Sequence, residues 1–118
     1  MIRPLALALA LTIATPAISA EFLPHPTGCP RIAFCGCGVA VKVFGRAVRS
    51  LWPSQAWRKF PKTYAKPGAV AVWRGHVAYI EAVDANGNAT LYDPNSGGHK
   101  TRRHVRSLRG ATIVDPRG

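Results

Sequence analysis

The stretch PGAVAVWRGHVAYIEAV, residues 67–83, fixes the period of the second half of the chain. Small, β-branched and aromatic residues fill AVAVW and HVAYIEAV, and Arg74-Gly75 separates the two runs, which predicts two strands joined by a tight turn. On the second strand His76 shares a face with Ala78 and Ile80, while Val77 and Tyr79 face the other way. Downstream, DANGN carries an Asn-Gly turn signal and leads by hairpin into ATLYD. PNSGGHK reads as a loop, TRRHVRSL is ambiguous, and ATIV is a last strand. Upstream the period changes. FCGCGVAVKVFGRAVRSLW places Val39, Val43, Phe44, Ala47, Val48 and Leu51 at helical spacing, with Gly45 a weak point and Pro53 a stop. PSQAWRKF predicts a second short helix with Ser54 as N-cap and Pro61 beyond it. Helices first and an antiparallel sheet after them make an α+β chain.

The start of the chain bears on compartment. Arg3 precedes an apolar run that closes on Ala17, Ile18, Ser19 and Ala20, the pattern of a secretory signal peptide over residues 1–20. Residues 21–33, rich in proline, form an extended arm, and residues 34–118 form one domain. No segment of the mature chain is apolar enough to span a bilayer, so the expected location is periplasmic or secreted. A net charge of +11 draws such a protein to an anionic envelope polymer. No nucleic-acid fold signature accompanies the charge, so no specific nucleic-acid partner is expected.

Three cysteines are an odd number for an oxidising compartment, and one bridge plus one free thiol is the simplest accounting. Cys29 can pair with Cys35 or with Cys37. A cysteine at a helix start is chemically apt: the free N–H groups and the helix dipole favour negative charge on sulfur, and an imidazole in reach can carry the proton. His76 is the candidate imidazole. Asp93 and Asn95, at the end of the following strand, are candidates to orient it. A zinc site on Cys29, Cys35, Cys37 and a histidine lacks the usual two-residue spacing between ligands, and no metal or other cofactor is called for.

With these residues in view the chain resembles the CHAP family, the cysteine, histidine-dependent amidohydrolases and peptidases of the papain-like and NlpC-type superfamily. The resemblance rests on a cysteine at a helix start, on PGAVAVWRGHVAYIEAV, on the Asn-Gly turn and on YDPNSGG, and it covers residues 34 to about 114. It implies a papain-like arrangement, an N-terminal helix packed on a small antiparallel sheet with the cleft between them. It implies hydrolysis of amide bonds, commonly in the peptide of cell-wall peptidoglycan, by a monomer without cofactor. Cys35 would be the nucleophile, with Cys37 the alternative, His76 the base and acid, and Asp93 or Asn95 the orienting group. Phe34 stands where many members carry a polar residue, so an oxyanion would be held by backbone amides.

A rival reading keeps the fold and drops the chemistry. A basic, disulfide-braced module would bind peptidoglycan or another anionic envelope polymer through its charge and through Trp52, Trp57 or Trp73. His25, His99 and His104 lie among proline, glycine or arginine and read as exposed.

Overall fold

A computed structural model describes residues 20–118. The signal-peptide reading of residues 1–20 therefore falls outside the described residues but for Ala20. Six strands form one antiparallel sheet: β1 (Glu21–Leu23), β2 (Val70–Trp73), β3 (His76–Val83), β4 (Asn88–Ser96), β5 (Lys100–Ser107) and β6 (Thr112–Val114). Their spatial order is β1-β5-β4-β3-β2-β6. One helix, α1 (Cys35–Phe44), and two short 3-10 helices, Arg49–Leu51 and Ser54–Lys59, precede the central strands. The class is α+β, and among the described residues no helix is long and apolar enough to cross a membrane.

The strands at 67–83 follow the alternation of the sequence. Val70, Val72 and Val77, with Val114 of β6, face α1 and pack with its Val39, Ala40 and Val43, with Leu51 and with the fully buried Trp57. Ala69, Ala71, Ala78, Ile80, Ala89 and Leu91 form a separate cluster on the opposite face. Lys42 lies over the rings of both Tyr79 and Tyr92, 5.6 and 5.4 Å from their centroids, and ties the polar side of α1 to β3 and β4. The helix thus lies on the Val77–Tyr79 side of β3, the face opposite Ala78 and Ile80.

Four local outcomes differ from the pattern. The helix stops at Phe44 instead of running on toward Pro53: Gly45 takes a left-handed φ of 76° and its N–H closes on the Val41 carbonyl. Residues 54–59 fold as a 3-10 helix in which Pro53, not Ser54, holds the capping position. The PNSGGHK segment is not all loop, because β4 continues through Ser96 with a register shift between Asp93 and Ser96, where Pro94 has no N–H to offer. TRRHVRSL is strand β5, and the extended arm supplies β1, which pairs with it. Arg103 fixes that pairing by donating to Glu81 across the sheet at 2.7 Å and to Glu21 of β1 at 3.0 Å. In the hairpin between β3 and β4, the Asp84 carboxylate accepts from the N–H groups of Asn86 and Asn88.

Candidate active site

The four residues of CGCG, 35–38, divide the work of seating α1. Cys37 is bridged to Cys29, which ties the arm to the first helical turn, and it is thereby removed as the alternative nucleophile. Cys35 is the free thiol, buried at 6 % exposure as the first residue of the helix. A Cβ on Gly36 would stand 2.1 Å from the Trp52 carbonyl oxygen and 2.3 Å from that of Leu51. A Cβ on Gly38 would stand 2.4 Å from the Pro94 ring. Both glycines are thus required for close approach. The first lets the 3-10 segment close against the helix start, and the second lets the helix press on the strand residue that follows Asp93.

His76 opens β3 as Cys35 opens α1, and the two ends meet there. Nε2–H of His76 donates to Oδ1 of Asp93 at 2.5 Å. The Cys35 side chain is near enough to the same imidazole to help raise its pKa. The Trp73 ring, 6.1 Å between centroids, borders the imidazole. Burial by itself would push His76 down, but its hydrogen bonds to Asp93 and Cys35 and their negative charge outweigh that and hold its pKa up at about 9.

Asp93 is fully buried, and both of its carboxylate oxygens are engaged. Oδ2 accepts from Nε2–H of His104 on the neighbouring strand β5, at 2.6 Å. Burial would raise the Asp93 pKa, and the two imidazoles more than reverse this, so it lies below the ordinary carboxylate value. A buried anion held between two N–H donors is a fixed acceptor that sets the tautomer and plane of His76. His104 therefore belongs to the site and is not the exposed residue its arginine-rich surroundings suggest. The signal for it was parity: once β5 pairs with β4, His104 lies opposite Leu91, on the face that also carries Asp93.

Asn95, the other candidate to orient His76, lies outside this cluster. It takes a left-handed φ of 56° and its Oδ1 accepts from Nδ1–H of His99 at 3.1 Å. His25 is not fully exposed either; it donates to the Cys29 carbonyl and meets the Phe34 ring edge-on at 4.5 Å. The first turn of α1 has no side-chain cap and no acidic residue, so its backbone N–H groups face the Cys35 end without a side-chain acceptor. Comparison with protein-family models, with curated proteins and with solved structures finds no match to this chain.

Proposed function

We propose that the protein is an exported cysteine amidohydrolase or peptidase of the papain-like, CHAP type, cleaving amide bonds in peptidoglycan peptide. The observation that carries this reading is the chain of contacts from Cys35 through His76 to Asp93, with a helix N-terminus beneath the sulfur. Asp93 raises the proton affinity of the imidazole, so His76 takes the Cys35 proton as the sulfur attacks. A C–S bond forms at the scissile carbonyl, and the oxyanion is held by N–H groups of the first turn of α1, since Phe34 offers no polar side chain. His76 then gives its proton to the leaving amine, the C–N bond breaks and a thioester remains. Water, deprotonated by His76, attacks the thioester and releases the acid and Cys35.

Export is supported by the leader-like start of the sequence and by the Cys29–Cys37 bridge, a bond that persists in an oxidising compartment. Attraction to an anionic wall follows from the charge, +11 for the whole chain and one less once Arg3 leaves with the signal peptide. The test is digestion of purified peptidoglycan by the mature, oxidised protein, with the products read by mass spectrometry. New free amine and carboxyl ends are expected, and Cys35→Ala should reduce their rate at least 1000-fold. Binding to the wall with no new ends, equal in wild type and Cys35→Ala, would favour the rival reading of a basic binding module, whose tryptophan contacts would then fall to the half-buried Trp52 and Trp73, because Trp57 is core.

A further inference from the structure

Trp73 and His76 are direct cross-strand partners, because only Arg74 and Gly75 separate the strands that carry them. Opposite residues of an antiparallel pair project to the same face of the sheet, so the indole stands beside the imidazole. Their ring centroids are 6.1 Å apart and their planes are inclined at 33°, within the range of an aromatic contact. The imidazole needs such a neighbour. The hydrogen bond to Asp93 fixes Nε2, but the ring can still turn about that bond, and the outer torsion of a histidine side chain has broad wells of its own. A second contact is required to fix the plane. Trp73 is suited to supply it because it is itself held. Its Nε1–H donates to the Arg109 carbonyl at 3.0 Å, the Arg106 guanidinium lies 4.2 Å from its ring centroid, and its ring packs on the cluster that contains Ala71 and Ala78. Its own carbonyl accepts from Gln55 Nε2–H of the second 3-10 helix at 2.8 Å.

We propose that Trp73 is a positioning residue for the hydrolysis: it fixes the plane of the His76 ring, so that the imidazole meets the Cys35 thiol in one orientation. The proposal rests on the amidohydrolase reading for the chemistry that this orientation serves. In this role Trp73 acts through His76 and takes no proton itself. An imidazole turned out of its plane loses the thiol proton as a hydrogen-bond partner, because such bonds weaken steeply with angle. The stretch from β5 through the turn after it thereby supports the reacting pair at one remove, through Arg106, Arg109 and the indole they hold.

Proton NMR of the folded, oxidised wild-type protein tests the contact: nuclear Overhauser contacts between the Trp73 indole and the His76 ring protons are expected, with one sharp low-field signal from His76 Nε2–H. The role is read from Trp73→Leu, from Trp73→Phe and from Val83→Ala, a control on the same apolar cluster at the far end of β3. Trp73→Leu should broaden the Nε2–H signal and slow iodoacetamide alkylation of Cys35 by roughly fivefold or more. Trp73→Phe keeps an aromatic face against the imidazole, so it should recover the signal and bring the rate to within about twofold of wild type. Val83→Ala should leave signal and rate in place, whatever it does to stability. Missing Overhauser contacts, wild-type behaviour in Trp73→Leu, no recovery in Trp73→Phe, or equal losses in Val83→Ala would each overturn the proposal. Alkylation of His76→Ala protein, run in parallel, separates the two failures. Slowing by His76→Ala but not by Trp73→Leu removes the role of Trp73 alone. Equal rates with and without His76 remove the amidohydrolase reading and the proposal with it.

Discussion

His76 carries the largest electrostatic consequence of the fold. Its pKa of about 9, against 6.5 for a free imidazole, means that folding favours the charged ring. The corresponding stabilisation, about 3 kcal/mol, is fully present below pH 6.5 and is lost as pH rises through 9. Asp93 acts at the other end of the scale: its lowered pKa stabilises the fold above the ordinary carboxylate value of 3.8, and this is lost as pH falls below it. A proton NMR titration of the His76 ring should therefore show a midpoint near 9, and Asp93→Asn should lower it, because burial is then opposed by Cys35 alone. A midpoint near 6.5 in the wild-type protein would contradict the Asp93 contact. His104 is a positioning residue in this account. His104→Ala leaves Asp93 Oδ2 buried without a donor and should cost about 1–3 kcal/mol in urea unfolding, while His104→Gln should recover part of it. The substitution should also shift the pH profile of Cys35 alkylation, which a purely structural loss would leave in place.

At the scale of elements, the seat of α1 depends on two glycines and one bridge. Gly36→Ala drives a methyl group into two backbone carbonyls and Gly38→Ala drives one into a buried proline ring, so each should destabilise the fold by about 1–3 kcal/mol or more. Gly45→Ala meets no neighbour and loses only the left-handed cap, so it should cost less, about 1 kcal/mol. Chemical denaturation of the three variants gives the order directly. Losing the Cys29–Cys37 bridge, by Cys29→Ser with Cys37→Ser, should cost about 2–3 kcal/mol for so short a loop. How much of this was legible in the sequence varied with the contrast of each segment. Residues 67–83 alternate small and β-branched residues cleanly, and their strands and turn were readable with His76 at the head of one. Which cysteine was free was not, since residues i and i+2 at a helix start differ only in what lies across from them, and here that is Cys29. TRRHVRSL concealed β5 because its cationic residues occupy both faces of the strand and leave no apolar stripe, so His104 was hidden with it. Asn95 shared the parity of Asp93, but the register shift between Asp93 and Ser96 carried it out of the cluster.

For the whole molecule, the charge balance is more one-sided than the count alone conveys. Each of the five acidic side chains is engaged: Glu21 and Glu81 with Arg103, Asp84 with its own turn, Asp93 with two imidazoles, and Asp115 with Lys66 and the Arg117 N–H. The surface is left basic, and the proposed binding to peptidoglycan should weaken steeply with ionic strength. Co-sedimentation with purified wall should show most of the protein bound at about 50 mM salt and most of it released at about 500 mM, where the screening length is only a few ångströms. The proposed chemistry turns on one sulfur, that of Cys35. The most direct measurement is the rate of iodoacetamide alkylation of the folded, oxidised protein at neutral pH, with the adduct mapped by mass spectrometry. A single fast adduct on Cys35, slowed at least tenfold by His76→Ala, is the predicted result; a thiol that reacts only on unfolding, or at the same rate without His76, would contradict it.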